Sequence, residues 1–114
     1  MCGICGIYNF DKSNINLENL TNINNNLYKR GPDSGGIYAN KFIGLGNRRL
    51  KIIDFEGGDQ PFYSEDKNLV LVFNGEIFNY VELKEDLKKK GFNFKTNSDT
   101  EVILIMYQAY GNKM

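Results

Sequence analysis

Histidine is absent from the 114 residues of this chain. That removes the customary proton acceptor of a cysteine nucleophile and excludes Cys–His catalysis. Cysteine is scarce as well, with only Cys2 and Cys5. A zinc site on this pair would need two further ligands, which carboxylates alone would have to supply, an uncommon donor set. A thioredoxin-type redox pair needs its first cysteine at a helix N-terminus behind a strand. Here both thiols lie in Cys2-Gly3-Ile4-Cys5-Gly6-Ile7, a glycine-punctuated apolar run with strand character.

Net charge is lacking too. Fourteen basic residues balance fourteen acidic ones, so there is no electrostatic footprint for nucleic acid, and the one basic run, Lys88-Lys89-Lys90, reads as the solvated end of a helix. The longest apolar stretch, Val102 to Met106, is far short of the ~20 residues of a membrane span. The basic and apolar regions of a signal peptide are missing from the N-terminus, and the expectation is a cytoplasmic protein with no membrane partner. With 41% hydrophobic and 25% charged residues, no repeat and no linker, the chain reads as a globular segment of at most one domain.

What is present starts at Cys2, directly behind Met1. Aminopeptidases remove methionine before a small residue, which would leave Cys2 with a thiol and a free α-amine. An α-amine titrates near ~7.7–8.0 and can accept the thiol proton at neutral pH, directly or through a water. Nucleophile and base are then one residue. Cys5 reads as a small buried hydrophobe on the same strand.

Further along, Leu17, Leu20, Ile23, Asn24 and Leu27 fall at helical spacing within an asparagine-rich stretch, with Gly31 as a stop. Arg30-Gly31-Pro32-Asp33-Ser34-Gly35-Gly36 is a turn-rich loop. Short strands follow at Ile37-Tyr38 and at 42–46 around an Asn-Lys turn, then a short extended piece at Lys51-Ile52-Ile53-Asp54. After a loop with Gly57, Gly58 and Pro61, residues 68–73 have the continuous apolarity of a strand covered on both faces. A helix from about Tyr80 to Lys90 pairs Glu85 with Lys89 and Asp86 with Lys90, and ends at Gly91. Ser98-Asp99-Thr100-Glu101 has the form of a capping box opening a buried helix that runs to Tyr110. Strands and helices in this order predict an α+β layered fold.

Five segments in this order are similar to one family: Met1 to Ile7, Arg30 to Gly36, Arg49-Leu50 with Ile52-Ile53-Asp54, Phe73-Asn74-Gly75-Glu76-Ile77-Phe78-Asn79-Tyr80, and Ser98 to Ile103. Together they resemble the N-terminal class II glutamine amidotransferase domain of glutamine-hydrolysing asparagine synthetases, across essentially the whole chain. The resemblance implies an αββα Ntn-hydrolase sandwich, of which residues 1–114 would be the N-terminal part and incomplete. It implies Cys2 as the nucleophile, with Asn74 and Gly75 donating to the oxyanion. It further implies Arg49 on the carboxylate of L-glutamine, Asp99 and Glu76 on its ammonium, and Ile53 in the same pocket.

No metal or cofactor is implied in this chain. ATP and Mg belong to the synthetase domain, which these residues lack, and that domain or the remaining half-domain is the expected partner. Taken singly, Arg49 reads equally as a surface ion pair, Asn74-Gly75 as a type I′ turn and Asp99 as a helix cap. The Arg30 to Asp33 loop reads mainly as a support for the arginine strand. One departure is Asn47, where many relatives carry histidine; any ordering role of that histidine is expected to be lost. Two rivals stay open: an amidotransferase serving another acceptor, and a non-catalytic remnant or assembly module.

Overall fold

The computed structural model describes residues 2–114. The elements run β1 (Gly3–Tyr8), α1 (Leu17–Asn26), β2 (Ser34–Asn40), β3 (Ile43–Arg49), β4 (Phe62–Tyr63), β5 (Val70–Leu71), α2 (Tyr80–Lys89) and α3 (Asp99–Tyr110), with a 3-10 turn at Gly111–Lys113. This is an α+β arrangement. The residues fall into two compact units that interleave along the chain. The first comprises residues up to Lys51, Asp59–Pro61 and Val72–Gly75; the second comprises Ile52–Gly58, Phe62–Leu71 and Glu76–Met114. Because the chain passes back and forth between them, no linker-like composition marks the division.

In the first unit an antiparallel sheet has the order β1-β3-β2. Its register pairs Gly3 with Arg48, Cys5 with Gly46 and Ile37 with Gly46. Side chains alternate between faces along a strand, so one face carries Cys5, Gly44, Gly46 and Arg48, and the other carries Ile4, Asn47 and Arg49. Helix α1 packs on the Cys5 face. Asn16 caps it by accepting from the Asn19 amide at 3.0 Å, and only Leu20 and Asn24 within it are buried. The expected stripe is therefore half exposed, since Leu17 and Ile23 face outward. A Cβ on Gly46 would lie 2.6 Å from Cys5 Sγ and 2.9 Å from Asn24 Oδ1, so glycine is what lets the helix come this close to the sheet. The structure also lengthens two elements. The ladder already begins at Ser34, and Asn47-Arg48-Arg49 continues β3 instead of leading out of it.

The second unit has its core at Leu87, Val102 and Ile105, with Tyr80, Leu83, Phe92, Phe94 and Met106 packed around them. Each such side chain fully removed from water contributes ~1.5–3 kcal/mol. Helix α2 ends as expected, with Gly91 at a φ of 95°, a conformation that glycine adopts without a Cβ penalty. Its exposed ion pairs form at i,i+3, Lys88 with Glu85 at 2.8 Å and Lys89 with Asp86 at 3.3 Å, in place of the i,i+4 pairs expected. Both spacings lie on one helix face, and exposed side chains select either.

Three other expectations are corrected in this part of the chain. Residues 51–54 form no strand, because Asp54 turns to a φ of 50°, where its Oδ1 accepts from the Gly57 amide at 2.8 Å and its Oδ2 from the Asn97 amide at 2.7 Å. Within 68–73 only Val70–Leu71 pairs, with Phe62–Tyr63, and Val70 to Phe73 are half-buried, not covered on both faces. The capping box forms by half. Ser98 Oγ accepts from the Thr100 amide at 3.2 Å, but the Glu101 carboxylate turns instead to the Lys95 amide at 2.9 Å and the Thr96 amide and hydroxyl, both at 2.7 Å. The Ser98 amide donates to Thr96 Oγ1 at 3.2 Å. Helix α3 is buried through Ile105, while Tyr107 and Tyr110 are exposed.

Candidate functional site

Strand alternation decides which thiol shares a face with the arginine. Gly3 opposes Arg48, so the next position outward sets Cys2 beside Arg49, on the face opposite α1. Cys5 lies on the helix face, half-buried, its thiol directed at Asn24 Oδ1 at 3.9 Å. Loss of solvent there raises its pKa, which disfavours the thiolate form.

Around Cys2 the backbone of the arginine strand closes in. The Leu50 amide donates to Cys2 Sγ at 3.4 Å, and the thiol reaches the Leu50 carbonyl at 3.7 Å. Arg30 Nε donates to the Cys2 carbonyl at 3.2 Å. Asp33 brackets the same segment twice: its amide donates to the Arg49 carbonyl at 3.1 Å, and its Oδ2 accepts from the Lys51 amide at 2.8 Å. The Arg30 to Asp33 loop thus supports Cys2 and the end of β3, the structural role expected of it. Between them Gly31 sits directly on the strand; a Cβ there would lie 2.3 Å from the carbonyl carbon and oxygen of Arg48.

Arg49 is no surface residue. It is 5% exposed, and its Nη1 pairs with Asp59 Oδ1 at 3.2 Å, the carboxylate also accepting from Ser34 Oγ at 2.9 Å and lying 3.7 Å from Lys51 Nζ. Partial burial pushes the Asp59 carboxyl up, but the Ser34 and Arg49 hydrogen bonds and the charges of Lys51 and Arg49 outweigh it and hold it below the ordinary carboxylate range. The buried guanidinium thus holds the Asp59 carboxylate by a charge-assisted hydrogen bond.

Asn74 and Gly75 lie in the same unit. Neither has a positive φ, which excludes the type I′ turn. Phe73, which leads into them, donates its amide to Gln60 Oε1 at 2.6 Å, and that same oxygen accepts from Asn47 Nδ2 at 3.2 Å. Asn47 is fully buried. It is linked to this loop through the Gln60 side chain.

In the second unit Asp99 is buried. It is the first residue of α3 and not its cap, which is Ser98; its Oδ2 accepts from the Ile77 amide at 3.1 Å. Ile53 is half-buried and Glu76 exposed. A cavity of about 690 Å³ in this unit, lined by Phe62, Ser64, Phe92, Leu104 and Ile105 among others, includes none of the catalytic or substrate-binding residues expected from the resemblance. No cluster of three or more potential metal ligands occurs among the described residues, and no helix among them is long and apolar enough to cross a membrane. Asp59 and Gln60 escaped sequence reading because they follow Gly57-Gly58 and precede Pro61, a context that signals only a loop.

Residues 1–114 match the family model of the glutamine amidotransferase domain. Asparagine synthetase [glutamine-hydrolyzing] 1 of Bacillus subtilis is 44% identical over 113 residues, 96% of this chain and 18% of that protein. The enzyme of Brassica oleracea is 42% identical over 112 residues, 97% of the chain and 19% of the protein, and asparagine synthetase 2 of Oryza sativa subsp. japonica is 41% identical over 114 residues, 99% and 19%. The chain thus spans less than a fifth of the length of these relatives. By its full-length family match and by its α+β fold, this chain belongs to the glutamine amidotransferase domain family.

Proposed function

We propose that this chain hydrolyses the side-chain amide of L-glutamine and supplies the ammonia to an asparagine synthetase. In this reading Met1 is removed and the Cys2 α-amine takes the thiol proton. The thiolate attacks the amide carbon, a C–S bond forms, and the oxygen becomes an oxyanion. Collapse breaks the C–N bond, the α-ammonium returns its proton to the nitrogen, and ammonia departs. Water then cleaves the γ-glutamyl thioester to glutamate and restores the thiol.

Asn74 Nδ2 and the Gly75 amide serve as oxyanion donors, a contribution of ~2.7–4 kcal/mol for each such donor in the transition state. Arg49 takes the substrate carboxylate by its planar fork; Asp99 and Glu76 take the ammonium, and Ile53 lines the pocket. ATP and Mg act in the synthetase part, outside residues 1–114, where aspartate is converted to asparagine.

The observation that carries this reading is the Leu50 amide on the Cys2 sulfur, at the end of the strand that bears the buried Arg49. Incubation with 6-diazo-5-oxo-L-norleucine, followed by intact-mass and N-terminal peptide analysis, tests it. A single adduct on an N-terminal Cys2 is expected. Labelling of Cys5, or none despite a free Cys2, would refute the proposal.

A further inference from the structure

Two bonds converge on one buried oxygen in the first unit. Gln60 is 8% exposed, and its Oε1 accepts at once from Asn47 Nδ2 at 3.2 Å and from the Phe73 amide at 2.6 Å. A side-chain carbonyl has two acceptor lone pairs, so this oxygen is satisfied by two donors. One donor belongs to the middle of β3, two residues before Arg49. The other belongs to the peptide that enters Asn74-Gly75. The Gln60 backbone is also seated on the sheet, because a Cβ on Gly36 would lie 2.7 Å from its carbonyl oxygen. A rigid strand is thereby connected, through a single amide oxygen, to a segment without helix or ladder of its own.

We propose that Gln60 is a positioning residue: its amide oxygen fixes the Phe73-Asn74-Gly75 segment against the face of β3 that carries Arg49, and so aims the oxyanion donors. This rests on the reading of Asn74 and Gly75 as those donors. Donors of this kind act only when they point at the place where charge develops, and a displacement of about 1 Å costs on the order of 10²-fold in rate. Gln60 touches neither substrate nor thiol in this scheme, so its loss falls on kcat and spares binding.

The test is steady-state glutaminase kinetics on the full polypeptide, wild type against Gln60→Met, which keeps the volume and removes the acceptor, and Gln60→Glu, which keeps an acceptor for both donors. Cys2 alkylation by iodoacetamide, which needs no oxyanion donor, is followed in parallel. Gln60→Met is expected to lose roughly 10- to 100-fold in kcat, with KM and alkylation rate close to wild type, and Gln60→Glu to recover most of the loss. Wild-type kcat in Gln60→Met would overturn the inference, as would an equal fall in kcat and alkylation. Should Gln60→Met fail to fold, Gln60→Glu decides: near-wild-type kcat supports the inference and a tenfold loss overturns it. An inactive wild type would instead refute the glutaminase reading and this inference with it.

Discussion

Replacing Gly31 by alanine tests the account of how the arginine strand is held. The new Cβ would sit 2.3 Å from both the carbonyl carbon and oxygen of Arg48 and 2.5 Å from the Arg49 nitrogen. All three are backbone atoms, so no rotamer change relieves the overlap, and the end of β3 or the Arg30 to Asp33 loop has to move by about 1 Å to restore ordinary contact distances. Overpacking of a well-fitted site costs ~1–3 kcal/mol, and collision with main chain places this case near ~3. For a chain of this size that corresponds to a fall in Tm of roughly 12 °C. Gly6→Ala provides the control within the same sheet. Its Cβ would meet only the Gly44 carbonyl oxygen at 3.4 Å and Leu45 Cδ2 at 3.5 Å, so the change is neutral or slightly stabilising, by up to ~1 kcal/mol, through the unfolded chain. Thermal melts followed by circular dichroism compare the two. If Gly31→Ala melts with wild type, the close seating of the loop on the strand does not exist in solution and the argument fails. Since the displaced peptide is Arg48-Arg49, next to the Leu50 amide that donates to Cys2 Sγ, the alanine variant should also lower the rate of Cys2 alkylation, a readout independent of stability.

Glu101→Ala removes the carboxylate that accepts from two backbone amides and a hydroxyl at 2.7–2.9 Å; with donors left unpaired, a loss of roughly 3 kcal/mol is expected in urea unfolding, and a loss under 0.5 kcal/mol would contradict the geometry. Asp59→Asn removes the carboxylate that Arg49 now holds. Asp59 is more than half exposed, so the pair stabilises by no more than ~1 kcal/mol, and the glutamine KM should fall by up to about fivefold with kcat unchanged; a rise in KM would show that Asp59 aids the substrate instead of competing with it. The same pair sets a pH dependence. Its folded pKa is below the ordinary value of 3.8, so its stabilisation is complete above that value and disappears as pH falls through the lowered pKa. The melting difference between wild type and Asp59→Asn should therefore be constant from neutral pH to about pH 5 and vanish in stronger acid.

Much of this was readable in the chain itself. Lack of histidine ruled out a Cys–His pair, and apolar spacing located α1, α2 and α3, because a helix face repeats every 3.6 residues whatever it packs against. Strand alternation alone puts Cys2 and Cys5 on opposite faces, but which of them shares the face of Arg49 needed the β1–β3 register, since a shift of one residue would exchange them. Tertiary structure alone paired Arg49 with Asp59, turned Glu101 away from its helix cap and made Asn47 and Gln60 a support for the segment before Asn74. Those partners are 5 to 13 residues apart in sequence, at spacings with no periodic signature. Local pattern records which face a residue takes; hydrogen-bond partners across a fold are set by which segments the packing brings within 3 Å, and composition does not encode that.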